Sequence, residues 1–161
     1  MKSTFIIALA ALLMATGCNR PNKPQTESRN KTEDSRNKSS ASPVIQLSSA
    51  GFRQHVMDID NNPGAWKTTD EKPQAMVIDF FATWCGPCSQ LAPLMEKAAQ
   101  RQAGKIRFYK VDIDECPDLA DHFAIEHIPA IYFVTADGKA STRIGYMDEE
   151  ELDEAVRTLT E

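Results

Sequence analysis

Beyond residue 43 the chain shows apolar runs of strand length that alternate with stretches of helical periodicity. Apolar runs of about four to eight residues are typical of buried strands, whereas apolar residues three and four apart indicate amphipathic helices. The predicted strands are 44–47, 75–82, 106–111, 130–135 and 141–144. The predicted helices are 50–59, 86–102, a short one beginning at Cys116-Pro117 and one opening at Asp148. This order predicts an α/β domain with a central mixed sheet of four to five strands and helices on both faces.

Two of the helices carry further local signals. Ser48 and Ser49 can cap helix 50–59, and the turn-forming segment 61–64 ends it. Pro93 lies inside the second helix and is expected to kink it, because proline has no backbone N–H to donate.

The first 43 residues differ in composition from the rest and are predicted to lie outside a folded domain of 44–161. Residues 1–17 start with a basic side chain, continue through an apolar run and end in small residues. That run is shorter than the roughly 20 residues that span a bilayer, so it predicts a signal peptide rather than a membrane helix. A buried N-terminal helix is the alternative. Residues 19–43 lack large aliphatic and aromatic side chains, which predicts a flexible polar tether.

The net charge of −5 is unevenly distributed. Segment 19–43 holds six Lys and Arg against three Asp and Glu, whereas 44–161 holds eleven against twenty. An acidic domain of this kind disfavours nucleic acid as a partner. The basic tether has two interpretations, a solvated linker or a segment that rests on anionic lipid.

Cys85 and Cys88 enclose Gly-Pro at the point where the strand 75–82 gives way to a helix. The spacing allows the two sulfurs to close a small disulfide ring. Unpaired N–H groups and the dipole at a helix N-terminus favour a thiolate over a thiol, which indicates redox chemistry.

The alternative for a Cys-x-x-Cys pair is half of a zinc site, which needs a second pair of Cys or His ligands. The remaining candidates are an isolated Cys116, with His122 and His127 beyond it. Neither spacing suits a second half-site, so we expect no metal.

The run Trp84-Cys85-Gly86-Pro87-Cys88, behind an aromatic strand, closely resembles the thioredoxin family. The resemblance covers 44–161 and implies the thioredoxin fold and thiol-disulfide exchange without a metal or organic cofactor. It implies that Cys85 is the nucleophile and that Cys88 is the resolving thiol.

Three further positions match the family. Asp79 corresponds to an aspartate that transfers protons to the resolving cysteine, and Lys110 to the lysine beside it. Because Asp79 lies in an apolar strand, we expect it to be buried, and burial should raise the pKa of its carboxyl. The alternatives are that Asp79 faces outward and that Lys110 is a solvated residue at a strand end. Ile128-Pro129 matches a cis-proline site, with a trans turn as the alternative. The resemblance implies a substrate-binding rim around Cys85, formed by Trp84, Gly86, Pro87, Ile113, Ile128, Pro129, Gly145 and Tyr146.

Two residues depart from the family pattern. Ser89 stands where a basic residue is common, which predicts weaker electrostatic support for the thiolate. Cys116 is shared with some eukaryotic cytosolic members; it is either a regulatory or dimer-forming thiol or simply a small residue at a helix start.

Small residues 15–17 directly before Cys18 resemble the lipobox of bacterial lipoproteins, although Ala15 replaces the usual leucine. The resemblance implies cleavage before Cys18 and lipidation of that residue, so the mature protein would be held at a membrane outside the cytoplasm. Asn19 after the cysteine favours passage to an outer membrane, if the cell has one.

Gly-Pro between the cysteines resembles reducing members of the family, so the expected function is a reductant of protein disulfides on the periplasmic side. The alternatives are a dedicated reductant for cytochrome maturation, an oxidant for protein folding, or a non-enzymatic binding or chaperone module. The expected partners are disulfide-containing proteins and a membrane thiol-electron transporter as electron donor. The protein is expected to be a monomer.

Overall fold

The computed structural model describes residues 42–67 and 74–160, which belong to one compact unit. The predicted signal peptide 1–17, the lipidation site Cys18 and nearly all of the tether lie outside the described residues. The order of elements along the chain agrees with the prediction. The elements are β1 Val44–Gln46, α1 Ser49–His55, β2 Ala75–Phe81, α2 Gly86–Arg101, β3 Ile106–Asp112, α3 Pro117–His122, β4 Ala130–Val134, β5 Ala140–Ile144 and α4 Glu149–Arg157.

The five strands form one mixed sheet in the order β1-β3-β2-β4-β5. Strands β1, β3 and β2 run parallel, whereas β4 is antiparallel to β2 and β5 is antiparallel to β4. Val44 of β1 lies level with Phe108 of β3 and Val77 of β2. The predicted mixed sheet is therefore confirmed, with β2 at its centre.

Side chains of β2 alternate between two apolar layers, as a pleated strand requires. Val77 joins a core with residues of α2 and α4, including Leu91 and Leu152. Ile78 and its alternate neighbours join a second core with residues of α1 and α3. Helices thus cover both faces, as predicted, and β2 is buried almost throughout.

Helix α1 is shorter than the predicted 50–59 and ends at His55. The backbone N–H of Met57 still donates to Phe52, but Met57 then pairs with Trp66 in an antiparallel bridge. The Asp58 carboxylate accepts hydrogen bonds from the backbone N–H groups that follow it, which fixes a turn. The strands and α2 agree with the prediction at one end and differ from it by one residue at the other. The kink expected at Pro93 stays a prediction, because α2 continues through it.

Helix α4 begins with a reciprocal pair of hydrogen bonds. The Asp148 carboxylate accepts the Glu151 N–H at 2.9 Å, and the Glu151 carboxylate accepts the Asp148 N–H at 3.1 Å. This capping box satisfies two N–H groups that would otherwise lack helical partners.

Replacing Asp148 with alanine removes the oxygen that caps α4. We expect the free energy of unfolding to fall by about 1 kcal/mol, measured by urea denaturation. The control Asp148→Ser retains an N-cap oxygen and should keep most of that stability. Equal losses in the two variants would contradict a capping role for this side chain.

Candidate functional site

Cys85 and Cys88 form a disulfide at the start of α2. Cys85 is the N-cap residue, and the Cys88 N–H donates to its Sγ at 3.2 Å. This N–H is one of the donors at a helix N-terminus that stabilise a thiolate in the reduced protein. Cys85 is therefore the closer of the two to the helix end, as predicted. Cys85 is also the more exposed of the two, as expected, but only slightly: it is 5% exposed and Cys88 is 3% exposed.

The turn that carries the cysteines follows from its local sequence. Strand β2 ends at Phe81, and the Cys85 N–H donates to the Ala82 carbonyl at 3.1 Å. Pro87 lies in the first helical turn, where a missing N–H costs nothing. The Ser89 hydroxyl and N–H both donate to the Cys85 carbonyl, at 3.2 and 3.1 Å. Ser89 thus supports the turn geometrically, while its predicted electrostatic effect stays a prediction.

Apolar side chains surround the disulfide. Ala82 and the two cysteines form a small buried cluster, against which Phe81, Ile113 and Ile128 pack. The structure therefore brings two predicted rim residues, Ile113 and Ile128, against the cysteines. It also reveals a contact by Phe81 that the sequence interpretation missed.

The Ile128-Pro129 peptide bond is cis, and Pro129 is buried. The Gly145 N–H donates to the Pro129 carbonyl at 2.8 Å, which joins the end of β5 to the start of β4. Gly145 has φ +95, a conformation that favours glycine. These predicted rim residues consequently lie together at one end of the sheet.

The remaining rim residues are exposed. Trp84 is 69% exposed, and its indole N–H donates to the Asp114 carboxylate at 2.8 Å. Gly86 and Pro87 are exposed at the start of α2. Tyr146 is half-exposed and lines a separate groove of about 610 Å³ between β5 and α4, outside the cysteine cluster.

Asp79 lies in the middle of β2, directly opposite Lys110 of β3 and Ile131 of β4. It is 5% exposed, and its Oδ1 atom has no hydrogen-bond partner among the described residues. Burial raises the pKa of Asp79 to about 7, although the nearby Lys110 charge partly opposes this. The predicted burial and raised pKa are confirmed, and the proton-transfer role stays a prediction.

Lys110 faces Asp79 in the sheet register but makes no salt bridge with it. Its Nζ atom lies 5.5 Å from the centre of the Phe81 ring, in a cation–π arrangement. The predicted pairing is therefore electrostatic at a distance rather than a direct contact. The alternation of a strand could have pointed to Phe81, which lies two residues after Asp79 on the same face.

Cys116 is a free thiol that is 1% exposed. Its Sγ lies 3.8 Å from the Leu47 carbonyl, and it occupies the N-cap position of α3. A dimer-forming disulfide needs an accessible sulfur, so the structure favours the simpler interpretation of a small residue at a helix start. Within 42–67 and 74–160 no group of three or more candidate ligands could hold a metal ion. No helix in those ranges is long and apolar enough to cross a membrane.

Comparisons with known proteins give a consistent result. The thioredoxin family model matches residues 43–158. The thioredoxin of Borreliella burgdorferi is 33% identical over 114 residues, which cover 71% of this chain and 95% of that relative. The thioredoxin of Listeria monocytogenes is 38% identical, covering 53% and 84% respectively. Among solved structures, a Malassezia sympodialis thioredoxin superposes with a TM-score of 0.57 at 31% identity, covering 73% and 91%. A chloroplastic thioredoxin z gives 0.60 at 27%, covering 73% and 94%.

Proposed function

Because the chain belongs to the thioredoxin family and is a thiol-disulfide oxidoreductase, we propose that it reduces protein disulfides outside the cytoplasm, anchored by a lipid on Cys18. The observation that carries the redox part is the Cys85–Cys88 disulfide at the N-terminus of α2. The residues before 43 supply the argument for location, through their resemblance to a lipoprotein signal.

The proposed cycle has two exchange steps. The Cys85 thiolate attacks one sulfur of a substrate disulfide, forming a mixed disulfide and releasing the first substrate thiolate. Cys88 then gives its proton to the Asp79 carboxylate and attacks the Cys85 sulfur, which releases the second substrate thiolate. The two substrate sulfurs take up protons and have gained two electrons, and Cys85 and Cys88 end as a disulfide.

Asp79 suits this proton transfer because its pKa of about 7 lets it accept and release a proton near neutral pH. It lies on the sheet face that α2 covers, since strand alternation puts it on the same side as Val77. The rim residues Ile128, Pro129 and Gly145 supply the surface beside Cys85 for an extended substrate segment, in the manner of strand addition.

The direction of electron flow follows from the redox potential of the cysteine pair. Equilibration with glutathione buffers should give a potential near that of thioredoxin, about −270 mV, if the protein is a reductant. A strongly oxidising potential, about −120 mV, would instead indicate an oxidant for protein folding. A reductant outside the cytoplasm needs two electrons per cycle from a donor that carries them across the membrane, and we propose a membrane thiol-electron transporter.

Anchoring is tested on the full chain expressed in bacteria that are fed labelled palmitate. The wild type should carry the label and sediment with membranes, whereas Cys18→Ser should lose both properties. The control Cys116→Ser removes a different free cysteine and should retain the label. Label that persists in Cys18→Ser would refute the proposed lipidation site.

A further inference from the structure

Three side chains meet on one face of the sheet near the cysteine pair. Asp79 and Phe81 point to the same side of β2 because side chains alternate along a strand. Lys110 lies directly opposite Asp79 on β3, and Phe81 is opposite Asp112, so Lys110 and Phe81 are diagonal neighbours. Side chains in both relations lie within reach of one another.

The Lys110 ammonium has two possible partners in this arrangement, and the structure shows which one it contacts. The Asp79 carboxyl is directly across the sheet, yet its Oδ1 is buried and accepts no hydrogen bond from the part of the chain that the structure describes. The ammonium instead lies 5.5 Å from the centre of the Phe81 ring. Attraction between a cation and the ring face stabilises this placement.

The geometry points to Phe81 as a positioning residue whose ring holds the Lys110 ammonium away from the Asp79 carboxyl, so that this carboxyl stays unpaired below the cysteines. The inference rests on the proposed proton-transfer role of Asp79. Phe81 also packs against the cluster that contains both cysteines. Its ring therefore contacts both this cluster and Lys110, the only cation opposite Asp79 in the described sheet.

Besides Lys110, the buried Asp112 lies on this face two residues further along β3, where its carboxylate accepts a backbone N–H; Lys110 is the charge that acts on Asp79. Within the described ranges, burial raises and the Lys110 charge lowers the pKa of Asp79. Its neighbour on β4 is the apolar Ile131, and the helix packed on this face contributes Leu91 and, in the reduced protein, the Cys88 thiol. A closer approach of the ammonium would therefore favour the ionised carboxylate and impede proton uptake from Cys88.

The test measures the titration of Asp79 by the 13C chemical shift of its carboxyl carbon in the oxidised protein. Phe81→Leu keeps an apolar side chain but removes the ring, so the ammonium is released toward Asp79. We expect the pKa of Asp79 to fall by about 1 pH unit, since an opposite charge at close range favours ionisation. Phe81→Tyr keeps the ring and should titrate like the wild type.

Lys110→Met provides the second background for a double-mutant cycle. With no ammonium to reposition, adding Phe81→Leu to Lys110→Met should leave the titration of Asp79 where Lys110→Met alone puts it. The inference is overturned if Phe81→Leu does not change the pKa of Asp79. It is also overturned if the change is the same in both backgrounds, because added hydration would then be the cause.

Insulin reduction by the same variants, followed against pH, separates this inference from the proposed function. If the pH profile of insulin reduction and the titration of Asp79 both move to lower pH in Phe81→Leu, the result supports both the positioning by Phe81 and the proton-transfer role of Asp79. If the titration moves and the profile of reduction does not, the positioning by Phe81 stands and the proton-transfer role of Asp79 is refuted.

Discussion

Replacement of Cys85 with serine is expected to abolish protein disulfide reduction, lowering the rate to below about a thousandth of wild type. A serine hydroxyl does not ionise near neutral pH, and it cannot form the mixed disulfide through which electrons pass. The measurement is insulin reduction followed by turbidity, with dithiothreitol as electron source. Retention of full activity in this variant would refute the assignment of Cys85 as nucleophile.

Cys88→Ser separates the two halves of the cycle. This variant keeps the Cys85 thiolate at the N-terminus of α2, so it should still attack a substrate once. The mixed disulfide should then accumulate, because the resolving thiol is missing, and mass spectrometry should detect it. The same trapped species, purified from cells, identifies the substrates. Cys116→Ser should have wild-type activity, since this thiol is buried beside Leu47 and takes no part in the exchange.

Asp79→Asn should make the protein more stable at pH 8 while impairing its redox cycle. The folded pKa of about 7 exceeds the ordinary value of 3.8, so the folded state binds more protons between these pH values. Stability of the wild type therefore falls as pH rises through this window, and above it the ionised, buried carboxylate costs up to about 4 kcal/mol. Asparagine is uncharged, so the variant lacks this loss.

Urea unfolding of the oxidised proteins at pH 5 and pH 8 provides the measurement. The unfolding free energy of Asp79→Asn relative to wild type should increase by about 2–3 kcal/mol between pH 5 and pH 8. The control Glu126→Gln removes an exposed carboxylate and should follow the wild type. A wild type whose stability does not fall relative to Asp79→Asn would contradict the raised pKa.

The sequence was sufficient to predict the strand-to-helix junction that carries the cysteine pair. An apolar run changes to helical periodicity at Gly86, and Pro87 suits a first helical turn, so local signals agree there. The predicted end of α1 was wrong because Met57 pairs with Trp66, and no local sequence pattern reveals a contact between two separate turns. Tertiary pairing overrode helical spacing at Ile59, which packs against a core from outside any helix.

The site was predictable to the extent that motif positions define it. Cys85, Cys88 and Asp79 were found from spacing and from family resemblance, and the burial of Asp79 follows from its apolar strand. The contact between Lys110 and Phe81 was missed because it depends on sheet register and on two partners that compete for one ammonium. The nearly complete burial of Cys116 was equally hidden, since cysteine occurs both in cores and at reactive surfaces.

The direction of β1 determines the end of the sheet at which the chain enters the domain. Strands β1, β3 and β2 are parallel, and Val44 is level with Val77, four residues before the end of β2. At about 3.3 Å per residue, Val44 lies ~13 Å behind the carboxyl end of the sheet where the cysteines are. The chain therefore enters the domain on the edge strand β1, from the end of the sheet opposite the cysteines. Anything joined to residue 42, including the anchor proposed above, is therefore attached at the end of the sheet opposite the disulfide.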